Sequence, residues 1–501
     1  MIDLQRITTS RNALTLASVP QGFAPLLLAD LTRAAKARTL YIAPDEAAMR
    51  AIADAVPFFA PELEILILPG WDCLPYDRAS PSVAVTSQRM STLQALQQPA
   101  KKKQLVVTTI GAVIQKYVTP FRIRQTGERL AAGREISRER LASLLQSNGY
   151  FRVDTVADAG EFAIRGSIVD LFPAGSEVGL RLDFFGDEIE SIRRFNPSDQ
   201  RSIDQVEHFD ILPAVEALMD EDAIKRFRVG YRERFGVTAT GDPLYQAVSE
   251  GRRLSGMDHW LPLFEERMAT IFDHVGADAL VIRDSGSIAA GQSRLDSITD
   301  YHENRVKAQA AEPGSYRPLP PEMLYLSSGE LDQLFDDNAA HLITPFAQPD
   351  SASVIDFGIT AARDFAPERT QKANVYEAVA AHLKSLHSKK TKTIIASYSI
   401  GARERLKGLL TDHGAPSIVD ADGWQQALGL AAGRTAMVVL PLDHGFSTPD
   451  IAVLSEQDML GDRLVRRQKR RKSADAFMAE LAALTPGDLV VHQDHGIGRY
   501  E

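Results

Sequence analysis

The first 120 residues alternate short apolar runs with stretches whose apolar residues recur at helical spacing. The apolar runs end at Pro, Gly or polar residues and cover residues 13–19, 39–43, 64–68 and 105–109. The helical stretches between them cover residues 23–36 and 45–56. Short apolar runs are typical of strands buried on both faces, and strands that alternate with helices form parallel sheets. The alternation therefore predicts an α/β domain with a parallel sheet and helices on its faces.

Between residues 125 and 211 the pattern changes to an alternation of apolar and polar residues. The segments with this alternation are residues 151–156, 161–172, 179–185 and 188–195. Gly186 and Asp187 separate the last two segments and fit a two-residue hairpin turn. Alternation with a period of two and tight turns predict an antiparallel α+β domain, inserted at residues 125–211 into the first α/β domain.

The rest of the chain is expected to complete the first domain and add a second, smaller α/β unit. The first domain is expected to consist of residues 1–124 and 212–345, on either side of the insert, and residues 212–345 are rich in helical patterns. The second unit is expected at residues 346–461. The strands expected there are residues 391–397, 417–420, 435–442 and 450–454, with a helix at 402–410. Residues 462–483 are expected to be a basic linker, and residues 484–501 the start of a small β domain. Because so short a stretch cannot bury a core, we expect the chain to belong to a longer polypeptide.

The composition excludes several classes of protein. The chain has 501 residues and a formal net charge of -10, and its one cysteine is Cys73. A single cysteine forms neither an intramolecular disulfide nor a Cys-rich metal site, and we expect no bound metal. No apolar stretch approaches the roughly 20 residues that a membrane span requires, so we expect a cytoplasmic protein without a membrane partner.

One local run of basic residues stands out in this acidic chain. Its cations include Arg466, Arg467, Lys469, Arg470, Arg471 and Lys472. Clustered Lys and Arg residues neutralise phosphates, which makes the run a candidate nucleic-acid contact. The alternative is a solvated linker, which the position of the run between two predicted domains favours.

The residues after the first predicted strand lack the phosphate-binding chemistry of an ATPase. A phosphate loop cradles phosphates with glycine amides and needs a Gly-Lys pair followed by Ser or Thr. Gly22 follows the first strand, but the next lysine is Lys36, and no Gly-Lys dipeptide occurs in the chain. The sequence also shows no nucleophile-elbow motif and no evident acid–base pair. We therefore expect this chain to be neither an enzyme nor a cofactor-binding protein.

Residues 179–185 carry a pattern typical of a protein-binding surface. Alternation places Leu180, Leu182 and Phe184 on the core face and leaves Arg181 and Phe185 on the outer face. An exposed aromatic ring beside an arginine is the composition of a protein–protein hot spot.

The alternative is that Phe185 packs under a loop. In that case Arg181, and Arg165 on the neighbouring strand, would pair with Asp183 or Asp187.

Three stretches of the sequence together resemble one bacterial protein family. Residues 68–96 begin LPGWDCLPYDRASPS, residues 160–203 begin GEFAIRGSIVDLFPAGSEVGLRLDFFGDE, and residues 486–501 read PGDLVVHQDHGIGRYE. In this order and spacing they resemble the N-terminal portion of the transcription-repair coupling factors. The first two stretches also resemble the excision-repair protein UvrB.

The resemblance implies a more detailed fold. It implies a degenerate P-loop, helicase-like α/β domain similar to that of UvrB, with an inserted antiparallel α+β domain that binds UvrA. Residues 346–461 would be a second α/β domain of structural role. Residues 484–501 would open a CarD-like small β-barrel domain that interacts with RNA polymerase.

The resemblance also implies a function in transcription-coupled nucleotide excision repair. Full-length members of the family are ATP-dependent DNA translocases that displace stalled RNA polymerase and recruit UvrA. DNA, ATP and Mg²⁺ would bind motor domains outside this chain, and the contact with the polymerase β subunit would be incomplete here.

Matching the family's motifs residue by residue implies that Arg165, Arg181 and Phe185 contact UvrA. In the family, a C-terminal domain masks the UvrA-binding insert until the motor engages DNA. This chain is therefore expected to bind UvrA without ATP or polymerase, and more tightly than a full-length protein does.

Two other functions compete with this one. A UvrB-type, ATP-dependent protein that binds damaged DNA would need the missing phosphate loop and a hairpin rich in aromatic residues. Residues 77–89, where that hairpin would lie, contain no aromatic residue. An unrelated α/β metabolic enzyme would need a catalytic constellation, and none is evident in the sequence.

Overall fold

The computed structural model describes residues 4–176, 178–236, 241–311 and 316–461, and the backbone of residues 489–492 and 496–499. The chain begins with the predicted alternation of strands and helices. Its strands are β1 (Thr15–Ala17), β2 (Thr39–Ala43), β3 (Glu64–Leu68) and β4 (Gln104–Thr109). Its helices are α1 (Leu4–Thr9), α2 (Ala24–Ala34), α3 (Glu46–Phe59), α4 (Val83–Leu96), α5 (Ile110–Ile114) and α6 (Pro120–Arg124).

Side-chain caps explain where the longer of these helices begin. The Asp45 carboxylate accepts a hydrogen bond from the Ala48 amide at the start of α3. The Ser82 hydroxyl does the same for the Val85 amide at the start of α4. Each cap satisfies an amide that has no partner inside the helix, so the helix starts at a fixed residue.

The insert is built on a six-stranded sheet. Its strands and helix are β5 (Glu128–Ala131), α7 (Arg138–Ser147), β6 (Phe151–Arg152), β7 (Glu161–Arg165), β8 (Ile168–Leu171), β9 (Gly179–Phe185), β10 (Glu188–Phe195), β11 (Ser202–Val206) and β12 (His208–Ile211). The sheet has the strand order β11-β10-β9-β8-β7-β6, and its neighbours are antiparallel except β6 and β7. Strands β5 and β12 form a separate two-stranded antiparallel ribbon.

Two strand predictions in the insert were wrong in their bounds. Residues 161–172 form two strands rather than one, because Gly166 turns the chain with a φ of 63°. The strand expected at residues 151–156 covers only Phe151–Arg152. The hairpin predicted at Gly186 and Asp187 is confirmed by the antiparallel pairing of β9 with β10.

The chain after the insert returns to the first α/β domain. Its elements are α8 (Glu221–Phe235), α9 (Pro243–Ser249), a 3₁₀ helix (Met257–Leu263), α10 (Ile271–Val275), β13 (Leu280–Asp284), α11 (Gly286–Ala311), α12 (Pro321–Leu324), α13 (Ser328–Asp337), β14 (His341–Ile343) and β15 (Val354–Asp356). Strands β13, β14 and β15 join the first four strands in one parallel sheet, ordered β15-β1-β14-β13-β2-β4-β3. The sequence predicted the helices of this region but not these three strands, and it assigned the residues of β15 to the second α/β unit, whereas β15 pairs with β1 in the first sheet.

The second α/β unit follows in the order the sequence predicts. Its elements are β16 (Thr360–Ala361), α14 (Ala366–Thr370), α15 (Val375–Ser388), β17 (Lys392–Ser397), α16 (Ile400–Asp412), β18 (Ile418–Asp420), α17 (Trp424–Gly429), β19 (Thr435–Val439), β20 (Phe446–Ser447), β21 (Ile451–Ser455) and α18 (Glu456–Leu460). The sheet has the strand order β16-β20-β21-β17-β19-β18, with a parallel centre and antiparallel strands β16 and β20.

The two α/β units share one hydrophobic core. The ring of Phe59 on α3 lies 5.0 Å from the ring of Trp424 on α17, in an edge-to-face arrangement. Buried residues from both sheets, including Ile282 and Ile394, belong to the same contiguous cluster. Since neither unit could separate without exposing this cluster, the two units pack as one body.

At the end of the chain, β22 (Leu489–His492) and β23 (Gly496–Arg499) form an antiparallel pair. The predicted basic linker at residues 462–483 lies outside the described residues. Among the helices that the structure describes, none has both the length and the apolar character needed to cross a bilayer.

Candidate functional site

The hairpin between β9 and β10 places Phe185 on the outer face of the insert sheet. Gly186 adopts a φ of 64°, which costs a residue without Cβ little, and Phe185 pairs with Glu188 across the turn. Phe184 points into the insert core and is 5% exposed, whereas Phe185 is 80% exposed. The alternation along β9 therefore runs as predicted, and Phe185 does not pack under a loop.

Arg181 lies on the same outer face and is held in one orientation. Its Nε donates to Oδ1 of Asp170 at 2.7 Å, and its Nη2 donates to Oδ2 at 3.0 Å. The guanidinium carbon lies 4.9 Å from the centre of the Phe195 ring. The hydrogen bonds to Asp170 raise the pKa of Arg181, so its positive charge is secure. With 17% of the side chain exposed, Arg181 offers a small but fixed donor surface.

Arg165 binds the same carboxylate from strand β7. Its Nη2 donates to Oδ2 of Asp170, and 49% of the Arg165 side chain is exposed against 1% of Asp170. One buried carboxylate thus orients both arginines. The alternative from the sequence, in which the arginines pair with Asp183 or Asp187, is wrong, because Asp170 takes that place. We call Arg165, Arg181 and Phe185 the arginine–phenylalanine patch.

Asp170 is a residue of the site that sequence reasoning missed. The sequence analysis predicted one strand at residues 161–172, and in one strand Asp170 has no predicted partner. Asp170 pairs with Arg181 because the chain turns at Gly166 and residues 168–171 form a separate strand beside β9. A signal was present, since Asp170 stands between the inward-facing Val169 and Leu171 and must therefore face outward.

Sequence reasoning also missed a third arginine on this face. Arg193 on β10 lies directly opposite Arg181, and its Nη2 donates to Oδ2 of Asp183. The Arg193 side chain is 42% exposed. The outer face therefore combines an exposed phenylalanine with several oriented guanidinium groups, which is the composition of a protein-binding hot spot.

The segment around Trp71 holds a buried ion pair that reaches the end of the insert. Arg89 on α4 donates to Glu216 from Nε at 2.7 Å and from Nη2 at 3.0 Å, and both side chains are fully buried. Trp71 Nε1 donates to the same carboxylate at 2.6 Å. The Arg89 guanidinium also lies 4.7 Å from the centre of the Tyr117 ring. Glu216 lies just after the insert in the chain, so these contacts attach the end of the insert to the parallel-sheet domain.

Further hydrogen bonds fix the insert to its base. The Thr86 hydroxyl of α4 donates to the Ala214 carbonyl at 2.6 Å. The Tyr150 hydroxyl donates to the Leu212 carbonyl at 2.7 Å and accepts from the Ala174 amide at 3.0 Å. The orientation of the insert, and hence of the arginine–phenylalanine patch, is therefore set by buried contacts.

A cavity of about 430 Å³ lies beside the turn that follows β1, the region where open parallel sheets bind ligands. Gly22 lines this cavity, and its ionisable lining residues include Asp45, Asp284, Asp443 and His444. Burial, with Asp45 nearby, raises the pKa of Asp284. Among the described residues that line the cavity there is neither Lys nor Arg. Such an acidic lining disfavours a triphosphate.

Cys73 packs against the hydrophobic core of the first α/β domain and is expected to be unreactive. Burial and the nearby carboxylates of Asp258, Asp72 and Asp77 raise its pKa to about 12. Because the thiolate is the reactive form, alkylation by iodoacetamide at pH 7 should be about 1,000-fold slower than for a free thiol. Mass spectrometry of the native protein measures this rate, and the protein in guanidinium chloride is the control. Native alkylation within tenfold of that control would contradict the expectation.

The candidate nucleic-acid contact falls outside what the structure describes. Residues 462–488 are not among the described residues, so the environment of Arg466, Arg467, Lys469, Arg470, Arg471 and Lys472 remains a prediction from the sequence. The same holds for the side chains of residues 489–499.

Family models match three parts of the chain in order. Residues 129–216 match the UvrB interaction domain, residues 386–459 match the MFD D3 domain, and residues 484–501 match the CarD-like/TRCF RID domain. The first match covers the sheet that carries the arginine–phenylalanine patch, and the second covers most of the second α/β unit.

Comparison with curated proteins gives one consistent result. The transcription-repair-coupling factor of Escherichia coli is 32% identical over 484 residues, which are 95% of this chain and 40% of that protein. The protein of the same name from Haemophilus influenzae is 29% identical over 493 residues, 97% of this chain and 42% of that protein. The one from Myxococcus xanthus is 30% identical over 502 residues, 95% of this chain and 41% of that protein.

The chain thus spans about two fifths of the length of the curated relatives it matches. The three matched domains correspond in order to the insert, the second α/β unit and the stretch that contains β22 and β23. On this evidence the chain belongs to the family of transcription-repair-coupling factors.

Proposed function

We propose that this chain is the UvrA-recruiting part of a transcription-repair coupling factor. In this role the insert binds UvrA and brings it to RNA polymerase stalled at DNA damage, which starts nucleotide excision repair. The observation that carries the proposal is the arginine–phenylalanine patch. Its Phe185 is 80% exposed and shares a face of the sheet with two arginines that one buried carboxylate holds in place.

The physical properties of the patch suit a protein partner. Exposing a phenylalanine ring to water costs free energy that a partner's pocket can recover. The guanidinium groups are held by Asp170 before any partner arrives, so binding loses little of their side-chain entropy. A rigid aromatic anchor with oriented donors is the arrangement that dominates binding energy at protein interfaces.

The remaining parts of the function follow from the family. We propose that residues 484–501 contribute to a contact with the RNA polymerase β subunit. We also propose that ATP, Mg²⁺ and DNA act on motor domains beyond this chain, and that the chain itself, in the cytoplasm, does not hydrolyse ATP. The acidic cavity beside Gly22 supports that last point.

Phe185→Ala is expected to weaken UvrA binding about 30-fold, which corresponds to about 2 kcal/mol. The ring is the large apolar group of the patch, and its removal leaves the fold intact because it contacts little of the core. Surface plasmon resonance with purified UvrA, in the absence of ATP and polymerase, measures the change in Kd.

Phe151→Ala is the matched control for this experiment. Phe151 is 52% exposed and lies on the edge strand β6, where it pairs with Glu161 at the end of β7 away from Arg165, so its removal should leave Kd unchanged. Equal affinity of wild type and Phe185→Ala, or an equal loss in both variants, would contradict the proposed function.

A further inference from the structure

Gly22 touches the backbone of the second α/β unit. A Cβ built on Gly22 would lie 2.0 Å from the carbonyl oxygen of His444 and 3.1 Å from the carbonyl carbon of Gly445. The φ of Gly22 is not in the left-handed region, so its own backbone would accept alanine. Glycine is therefore required at this position by the neighbouring chain and not by the turn itself.

Hydrogen bonds with Asp458 and Ser455 fix the conformation of the loop that contacts Gly22. Asp458, whose side chain is 3% exposed, accepts hydrogen bonds from the amides of Gly445 at 2.8 Å and Ser455 at 2.9 Å. Its other oxygen lies 3.0 Å from Nδ1 of His444. The Ser455 hydroxyl donates to the Asp443 carbonyl at 2.6 Å. We call residues 441–446 the closing loop.

Apolar contacts continue the interface beside Gly22. The ring of Phe23, the next residue, lies 5.2 Å from the ring of Phe446 in an edge-to-face arrangement. Both rings and Leu442 are buried in the core cluster that the two α/β units share. Buried apolar contacts therefore hold the closing loop against the turn after β1, beside the cavity that both line.

The turn after the first strand and the amino end of the following helix are where nucleotide-binding α/β domains hold a phosphate. In this chain those are the turn containing Gly22 and the amino end of α2. The atom that stands against the turn is the carbonyl oxygen of His444, which carries partial negative charge as a phosphate oxygen does.

We propose that the closing loop occupies the phosphate position of a former nucleotide site, so that the second α/β unit is a permanent closure of that cleft. The second α/β unit would then make the contacts at the carboxyl end of β1 that a bound nucleotide makes in a nucleotide-binding domain. This inference concerns the contact between the closing loop and the turn after β1, and it does not depend on the partner that binds the insert.

Hydrogen exchange of the full chain tests the proposal with Gly22→Ala. The new methyl group must displace the His444 carbonyl, so the amides of the closing loop should exchange at least tenfold faster. The amides of β17, in the centre of the same unit, should not change. Gly329→Ala on α13 is the control, because a Cβ there meets nothing within 4 Å. Wild-type exchange of the closing loop in Gly22→Ala would overturn the proposal.

Two further measurements keep the proposal open to refutation if Gly22→Ala does not fold. Phe23→Leu keeps an apolar side chain but removes the ring contact with Phe446, and should speed exchange in the same loop. Saturating ATP with Mg²⁺ should leave the Tm of the wild-type chain unchanged, because the closing loop stands against the turn where the phosphates would bind. Unchanged exchange in Phe23→Leu, or a Tm raised by several degrees with ATP, would refute the closure.

Discussion

Glu216→Gln is expected to lower the free energy of unfolding by about 3–5 kcal/mol. The substitution leaves the fully buried Arg89 without the carboxylate that accepts two of its hydrogen bonds. An uncompensated charge in the interior is costly because no water reaches it. Trp71 loses the charged acceptor of its indole N–H in the same step. Guanidinium chloride denaturation followed by circular dichroism measures the effect.

Two further variants separate a buried-charge effect from a general loss of ion pairs. Glu62→Gln breaks a pair with Arg33 in which both side chains are more than one third exposed, and should cost under about 1 kcal/mol. Arg89→Met combined with Glu216→Leu replaces the buried pair by apolar groups and should recover most of the lost stability. A Glu216→Gln protein within 1 kcal/mol of wild type would show that the ion pair does not anchor the insert.

Asp170→Asn is expected to weaken UvrA binding about 30-fold, although the Asp170 side chain is only 1% exposed. Without its charge the side chain at position 170 no longer orients Arg165 and Arg181. In the variant these arginines lose side-chain entropy when UvrA binds, whereas in the wild type they have already lost it on folding. The free energy of unfolding should fall by about 2 kcal/mol, mainly through the half-buried Arg181. Titration calorimetry with UvrA and thermal unfolding measure the two effects.

The neighbouring Asp204 provides the matched control. It pairs with Arg194 at the sheet surface, where both side chains are well exposed. Asp204→Asn should therefore change neither Kd nor Tm measurably. If Asp170→Asn lowers Tm as expected but binds UvrA like wild type, the two arginines do not need Asp170 to contact the partner.

The sequence predicted those elements whose signals are local. Strands β2 and β3 have the bounds expected from their apolar runs, and the β9–β10 hairpin follows from Gly186 between two alternating segments. Strands β13, β14 and β15 were not predicted, since β14 and β15 have only three residues each and the apolar run of β13 ends in the charged residues Arg283 and Asp284. Their place in the parallel sheet depends on pairing with distant strands rather than on local pattern.

The candidate site likewise has one part that the sequence predicts and another that it does not. The exposure of Phe185 follows from alternation along one strand and could be predicted. The partner of Arg165 and Arg181 depends on the register between strands, which the Gly166 turn sets and which the sequence analysis did not include. The contact between Gly22 and His444 joins residues more than 400 positions apart and leaves no local signal.

The ribbon of β5 and β12 has a mechanical consequence for the insert. The two strands are paired from Glu128 with Ile211 to Ala131 with His208, so the polypeptide enters and leaves the insert side by side. Tension applied through a partner bound at Phe185 is divided between two backbones, and their mutual hydrogen bonds resist separation. A load on the insert would therefore reach the first α/β domain through two paired strands rather than through a single one.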